Sequence, residues 1–194
     1  DPMTREQVEA FFEGVVPYEQ VIVHNWREDV VRIGEVPASY VSEVSEGLIN
    51  DPLPVEINKH LLDPSYDLIL SIGQVVPHEV VGMANYTKNI LVGCGGKDTI
   101  NRSHILGAVF GMERIMGKDH SPVRKVFDYA QEHFLSKLPL VYILTVTTAS
   151  SDEVKIEGVF AGTSRKVFEE AVELSREKNL IWLDEPIKKA VVYL

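Results

Sequence analysis

The chain has 194 residues, of which 45% are hydrophobic and 25% charged, so it can bury one sizeable core and is not expected to be disordered. Its formal net charge of −10 argues against nucleic acid as a partner, because nucleic acid binding needs a basic surface. The longest apolar stretch, 138–146, is too short to cross a membrane, and the single cysteine, Cys94, favours a reducing, cytoplasmic location.

The first part of the chain shows patterns of alternating helices and strands. Thr4 and Gln7 have the spacing of a capping box, which predicts a first helix that ends at Gly14. The apolar and turn-forming residues that follow predict, in order, a strand at 21–23, a helix at 40–48, and strands at 54–57 and 67–76.

The second part continues this alternation. Asp98 is the predicted N-cap of a helix whose apolar positions run to Met116. The next predicted elements are a helix at 123–135, strands at 140–147 and 154–160, a helix from Thr163 to Lys178, and strands at 181 and 191. Together these elements predict an α/β fold, a single domain over 1–194 with a mostly parallel sheet flanked by helices and some antiparallel strands toward the carboxyl end.

The most informative pattern is the spacing of His78, Lys88 and His104, ten and then sixteen residues apart. His78 follows the predicted strand 67–76, and the carboxyl ends of strands form the ligand-binding edge of open α/β sheets. Lys88 is predicted to enter a first helical turn, where the helix dipole disfavours the ammonium and makes a nucleophilic amine more accessible. A solvated surface lysine is the alternative for Lys88.

His104 shares its predicted helix face with Gly107 and Gly111. Such small neighbours leave room for a bulky cofactor or a metal at the imidazole. Taken alone, the pattern favours a core histidine that bonds a carbonyl while the glycines allow close helix packing. Residues 85–125 hold seven basic and three acidic side chains, which suits an anionic small molecule or a solvated helix face. The run 93–99 lacks the spacing of a phosphate-binding loop, and no zinc-type Cys/His cluster is present.

Several segments together resemble the lactate racemase family of nickel-pincer enzymes. The central ones are 73–82, Lys88, Gly93, 98–100 and His104, and landmarks in the same order lie at 24–25, 32–34, 54–58 and 158–162. The resemblance extends from about residue 20 to residue 163, and the spacing of the two histidines and the lysine is its most specific part.

The resemblance implies a role for each central residue. Lys88 would carry a nickel-pincer mononucleotide through a thioamide, His104 would bind the nickel, and His78 would transfer a proton. A small anionic 2-hydroxy acid would lose its hydroxyl proton to histidine while its hydride moves to the cofactor, and return of the hydride to the opposite face would invert the centre. This is the racemisation or epimerisation catalysed by an isomerase.

Three positions depart from the family pattern within the expected cofactor-binding segment, which includes Gly82. Asn85 and Tyr86 stand where the family commonly has paired glycines, and Val92 stands where it has a proline. The added bulk predicts either a reshaped pocket that selects another hydroxy acid or a pocket that excludes the cofactor.

The resemblance also implies that the chain is the amino-terminal catalytic lobe of a longer protein. Residues 1–6 resemble the end of a motif whose second catalytic histidine lies upstream, and a carboxyl-terminal lobe would complete the site. We therefore expect the isolated chain to be inactive and to need cofactor-synthesis enzymes for loading. A competing hypothesis is a non-catalytic paralogue that binds an anionic metabolite or nucleotide in the same pocket, and a weaker one makes Lys88 a Schiff-base lysine.

Overall fold

The structure is a computed structural model that describes residues 3–150 and 153–181, with the single residues 183 and 189. The helices are α1 (Arg5–Phe12), α2 (Ala38–Val44), α3 (Lys97–Phe110), α4 (Met112–Ile115), α5 (Pro122–Ala130) and α6 (Arg165–Asn179). The strands are β1 (Val30–Val36), β2 (Leu53–Asn58), β3 (Ile69–Gln74), β4 (Pro77–His78), β5 (Gly82–Met83), β6 (Leu140–Ala149) and β7 (Val154–Gly162). Two π-helical turns, Asn89–Gly93 and Gln131–Leu135, follow Lys88 and α5.

The strands form three small sheets. The main sheet has the order β3–β6–β7, in which β3 and β6 are parallel and β6 and β7 are antiparallel. Strands β1 and β2 form an antiparallel pair, and β4 and β5 form a short hairpin directly after β3. The α/β class is therefore confirmed: β6 is the central strand of the main sheet, with the parallel partner β3 at one edge and antiparallel pairing toward the carboxyl end.

The core forms where α6 packs on the main sheet. Alternate residues of β6 are buried, and α6 buries Phe168, Ala171 and Val172 on one face. The strand and the helix therefore each present one apolar face to the core, with a period of two residues in the strand and 3.6 in the helix. Full burial of a large apolar side chain contributes about 1.5–3 kcal/mol. The same helix holds the end of the β3 strand, because the Ser175 hydroxyl donates to the Val75 carbonyl at 2.8 Å.

The predicted strand at 21–23 is wrong. Ile22 and Val23 are 59% and 54% exposed, so this apolar run is not buried against a sheet. The side chain of the next residue, His24, is fixed by two hydrogen bonds. Asn58 donates to its Nδ1 at 2.7 Å, and its Nε2 donates to the Gly95 carbonyl at 2.9 Å. The strand of this region is β1, which the sequence patterns did not predict.

The start and end of α3 also differ from the prediction. Gly96 is the N-cap, and Asp98 lies in the first turn, where its backbone N–H and that of Thr99 donate to Glu56 Oε2 at 2.9 and 3.3 Å. The helix ends at Gly111 rather than at Met116, because Gly111 has φ +98°. A carboxylate from β2 therefore caps the helix that carries His104.

The other predicted elements are largely confirmed. The Thr4–Gln7 capping box is present, and the strands at 54–57, 67–76, 140–147 and 154–160 lie within a few residues of their predicted bounds. Helix α6 begins after Ser164 rather than Thr163, and Ile181 is not in a strand; the predicted strand at 191 lies outside the described residues. No helix in the described ranges combines the length and apolar character needed to cross a bilayer.

Candidate functional site

His78 lies on the β4–β5 hairpin, just beyond the carboxyl end of β3, as the sequence predicts. It pairs with Gly82 across the hairpin, and its side chain is 21% exposed. The Val80 backbone N–H donates to Nδ1 at 3.1 Å, so the neutral ring carries its proton on Nε2. His78 is therefore held at Nδ1 and presents an N–H at Nε2.

The pKa of His78 is lowered from its ordinary value. Burial is the largest cause, followed by the positive charge of Lys88, and the charges of His104 and Arg124 act in the same direction while Glu79 opposes them. The charges of Lys88 and of His104 therefore both act on His78. At neutral pH the lowered pKa favours the uncharged ring of His78.

A close contact between α3 and the hairpin explains the position of His104. A Cβ added at Gly107 would lie 2.9 Å from Val80 Cγ1 and 2.9 Å from the Val80 carbonyl oxygen, so only a glycine allows this approach. His104 lies three residues before Gly107, on the same face of α3. The glycine thus serves the close helix packing that the sequence analysis kept as an alternative, and it also places His104 beside the hairpin of His78.

His104 has a fixed tautomer. Its Nδ1 lies 2.7 Å from the Ile100 carbonyl oxygen, which can only accept, so Nδ1 carries the proton and Nε2 keeps its lone pair. A metal-binding histidine is commonly oriented by such a bond at its second nitrogen. Within the described ranges no group of three or more His, Cys, Asp or Glu side chains could hold a metal, so His104 would be one ligand among donors from elsewhere.

Lys88 is half-buried and follows a turn in which Asn85 and Tyr86 have φ of +69° and +57°. Its pKa is lowered, first by burial and then by the charge of Arg124, with Glu79 opposing. Among the described residues, no hydrogen bond or ion pair engages the Lys88 amine. Burial and a neighbouring cation therefore lower the pKa of the Lys88 amine, and Lys88 lies in a first helical turn as the sequence predicts.

The backbone at Asn85 and Tyr86 has the left-handed conformation that favours glycine, which accounts for paired glycines at these positions in a family. The Tyr86 ring is only 2% exposed and lies in the core, with its centroid 4.4 Å from that of Tyr142 and 5.2 Å from that of Phe168. Asn85 is buried against Gly73, and its Nδ2 has no hydrogen-bond partner. Both side chains are accommodated by the core.

Close packing explains why residue 82 is a glycine. Its φ is +90°, and an added Cβ would lie 1.9 Å from the Lys118 carbonyl oxygen. Its own carbonyl accepts from the Gly117 N–H at 2.9 Å. Gly82 therefore locks the hairpin of His78 against the segment between α4 and α5.

Sequence reasoning missed Arg124, which contacts the segment before Lys88. Its side chain is fully buried on α5 and donates to Met83 O, Asn85 O and Thr87 Oγ1. One signal was available: Arg124 stands within an otherwise apolar helix face that includes Val123 and Phe127. A charged residue on such a face needs buried partners.

The lowered pKa of Lys88 leads to a prediction about stability. The folded chain holds the Lys88 proton less tightly than the unfolded chain, so the buried ammonium costs free energy at neutral pH, and this cost declines as pH rises past the folded pKa. We expect Lys88→Met to raise the free energy of unfolding by ~0.5–2 kcal/mol at neutral pH, with a smaller gain in alkaline buffer. Urea unfolding of the variant and of the wild type, at neutral pH and in alkaline buffer, measures this difference in the free energy of unfolding.

The matched control is Lys125→Met, because Lys125 is exposed on α5. Its free energy of unfolding should change by less than about 0.5 kcal/mol. Equal effects of the two substitutions would contradict an energetic cost at Lys88.

Comparison with known proteins adds to this geometry. Residues 2–116, more than half of the chain, match the family model of the lactate racemase N-terminal domain. The fold is similar to that of a protein from Thermotoga maritima, with a TM-score of 0.83 and 24% identity over 96% of this chain and 46% of that one. It is also similar to the lactate racemase apoprotein from Thermoanaerobacterium thermosaccharolyticum, with a TM-score of 0.70 and 25% identity over 92% of this chain and 39% of that one. The chain spans less than half the length of both, and no curated protein matches it.

Proposed function

Because this chain belongs to the lactate racemase N-terminal domain family, we propose that it carries the cofactor-binding and proton-transferring residues of a 2-hydroxy acid racemase or epimerase. Two observations support the proposal: the charges of Lys88 and His104 both act on His78, and the His104 Nδ1 bond to the Ile100 carbonyl leaves the lone pair on Nε2. An amine, an imidazole ligand and a second imidazole that titrates near neutrality are the groups that this chemistry needs.

In this proposal Lys88 holds a nickel-pincer mononucleotide, with Gly82, Asn85 and Tyr86 in the cofactor-binding segment, and His104 gives the nickel one nitrogen ligand. The residues present fit that group: the Lys88 amine has no partner within the described ranges, its pKa is lowered, and His104 Nδ1 rather than Nε2 holds the proton. When bound, the group supplies the acceptor for the substrate's α-hydride. A pincer brings donor atoms of its own, so a single protein imidazole suffices.

His78 moves the proton of the substrate hydroxyl. In the tautomer with Nε2–H, the ring is set to give a proton to a substrate oxygen. To accept a proton at Nε2 it must adopt the other tautomer and give up the bond from Val80, which is worth about 1 kcal/mol. Because that cost is small, both directions of proton transfer remain accessible at neutral pH, as a racemase requires.

The substrate and partners follow from the charges and from the family. A carboxylate would be attracted by the cationic residues of segment 85–125, which exceed its acidic residues by four, seven against three. We propose that the single α/β domain of 1–194 works within a longer cytoplasmic polypeptide, whose upstream segment and carboxyl-terminal lobe complete the site, and that cofactor-synthesis enzymes load it. This chain covers less than half of each structural neighbour, which supports the proposal of a longer polypeptide.

The test is expression of the longer polypeptide with the cofactor-synthesis enzymes, followed by intact mass, nickel content and racemisation of 2-hydroxy acids. We expect a mass increase on Lys88 and bound nickel, and we expect Lys88→Arg to abolish both. His104→Gln should keep the mass increase and lose nickel. His78→Gln should keep both and lower kcat by about 100-fold to 10,000-fold.

Other outcomes separate the alternatives. An unmodified Lys88 without nickel in the co-expressed protein would contradict the proposal. A loaded protein that binds hydroxy acids in calorimetry without turnover would identify the non-catalytic paralogue, the alternative to which the sequence departures at Asn85 and Tyr86 point. Trapping of a carbonyl compound on Lys88 by borohydride would indicate a Schiff-base enzyme instead.

A further inference from the structure

Arg124 is the largest side chain without solvent exposure in the part of the chain that the structure describes, and its hydrogen bonds go to one segment. From α5, Nη2 donates to the Met83 carbonyl at 2.6 Å and to the Asn85 carbonyl at 3.2 Å, while Nη1 donates to Thr87 Oγ1 at 2.7 Å. These three acceptors lie within the five residues that precede Lys88. A guanidinium on α5 thus spans the whole turn that leads to the lysine.

Core packing alone does not account for this arginine. A buried charge carries a large desolvation penalty, and an apolar side chain of similar volume fills such a position at lower cost. Asp128, four residues further along α5, lies 2.9 Å from Arg165 and acts on Arg124 through its charge without forming a close ion pair with it. Arg124 Nε has no hydrogen-bond partner, whereas the two terminal nitrogens are both used on the segment 83–87.

The segment that Arg124 binds has a strained backbone. Asn85 and Tyr86 adopt left-handed φ values that L side chains rarely adopt, so the turn is stable only where its surroundings enforce it. Arg124 bonds the turn on both sides of Tyr86, and the ring of Phe168 lies 4.4 Å from its guanidinium carbon and packs on the Tyr86 ring. One side chain therefore connects the turn to both α5 and α6.

We propose that Arg124 is a positioning residue for Lys88: it fixes the left-handed turn so that the amine is presented for acylation. This inference rests on the proposed function, in which Lys88 is the attachment point. The charge of Arg124 has a second effect on Lys88. Burial is the largest cause of the lowered Lys88 pKa, the Arg124 charge is the next and acts in the same direction, and Glu79 opposes both. His78 also faces Lys88, and its own lowered pKa leaves it uncharged at neutral pH.

The charge effect can be measured on the 194-residue chain without cofactor. The probe is the N-hydroxysuccinimide ester of acetic acid: the amine attacks the ester carbonyl, an amide bond forms, N-hydroxysuccinimide leaves, and the amine's proton goes to solvent. Peptide mass spectrometry gives the acetylation rate of Lys88 against pH, with exposed Lys125 as internal standard. We expect the Lys88 midpoint to lie below that of Lys125, to rise in Arg124→Met, and to stay low in Arg124→Lys, which keeps the charge.

The geometric effect needs a variant that leaves the charge in place. Thr87→Val is nearly isosteric and removes one acceptor of Arg124. We expect the amides of Lys88 and Asn89, which bond the Asn85 and Tyr86 carbonyls, to exchange hydrogen about tenfold faster or more in this variant. The matched control is Thr145→Val in β6, whose hydroxyl donates to Gly73 O outside the turn and whose loss should leave these amides unchanged.

The outcomes separate this inference from the function on which it rests. If Thr87→Val leaves the exchange rates unchanged and Arg124→Lys behaves as wild type in exchange as well as in acetylation, Arg124 only fills the core and the inference is overturned. If both readouts move as expected but the co-expressed longer protein carries no adduct, the positioning stands and the racemase proposal fails. Should Arg124→Met not fold, the Arg124→Lys and Thr87→Val results still decide.

Discussion

Gly82→Ala is expected to be among the most destabilising single substitutions in this chain, with a loss of about 4 kcal/mol or more in the free energy of unfolding. Two costs combine at this residue. A φ of +90° is strained for any L side chain, by roughly 1–2 kcal/mol. The new Cβ would also lie 1.9 Å from the Lys118 carbonyl oxygen, which is backbone and cannot rotate away. Chemical denaturation of the purified variant measures the sum.

Two other glycines separate these costs. Gly47 has φ +79° with nothing within 4 Å of an added Cβ, so Gly47→Ala should lose only the conformational part, about 1–2 kcal/mol. Gly93 has open space and no positive φ, so Gly93→Ala should be neutral or gain up to ~1 kcal/mol. If Gly82→Ala cost no more than Gly47→Ala, the segment at Lys118 could shift, and the hairpin of His78 would not be locked.

The same series has a functional readout. Because Gly82 pairs with His78 across the hairpin, displacement of the hairpin should move His78 away from the buried, cationic surroundings that lower its pKa. We therefore expect the His78 pKa, followed by NMR of the ring protons, to rise toward its ordinary value in any folded fraction of Gly82→Ala. In Gly93→Ala it should not change.

The residue pattern within a segment predicted the helices and strands that depend mainly on that segment. Strand β3 follows a continuous apolar run, helix α3 contains recurring apolar residues, and the capping box at Thr4 uses residues three apart. Residues 21–23 have the same apolar character as β3, and Leu70 and Ile72 of β3 are about as exposed as Ile22 and Val23. Only β3 is a strand, because the rest of the chain places β6 beside it as a pairing partner. A short apolar run does not specify its own partner strand.

The candidate site divides in the same way. The spacing of its two histidines and one lysine was visible in the sequence, and in the structure the charges of Lys88 and His104 act on His78. Arg124 was not predicted, because its acceptors lie 37 to 41 residues earlier in the chain and meet it only after folding. The left-handed turn was hidden for another reason: asparagine and tyrosine occupy positions whose conformation normally signals glycine.

Tyr86→Gly is expected to destabilise the chain by about 1–4 kcal/mol even though it gives the backbone the residue that its φ of +57° favours. Relief of the left-handed strain gains roughly 1–2 kcal/mol. Loss of a buried aromatic ring costs about 3–5 kcal/mol, and this ring packs on both Tyr142 and Phe168. Packing therefore outweighs strain, and thermal or urea unfolding should show a net loss.

Asn85→Gly provides the contrast at the neighbouring residue. It removes the buried Nδ2 that has no partner and the strain of a φ of +69°, and it loses only the short bond from the Tyr86 N–H to Oδ1. These terms nearly cancel, so we expect a change within about 1 kcal/mol. Tyr86→Phe, which keeps the ring, should likewise stay within ~1 kcal/mol of wild type.

The two glycine variants thus distinguish a tyrosine kept for packing from one kept for the site. If Tyr86→Gly proved more stable than wild type, the stack on Phe168 would contribute less than the strain, and the core would not account for Tyr86. With the expected loss, the paired glycines of the family and the Asn85–Tyr86 pair are two solutions to one backbone requirement: glycine meets it without strain, and this chain meets it by anchoring the turn in the core.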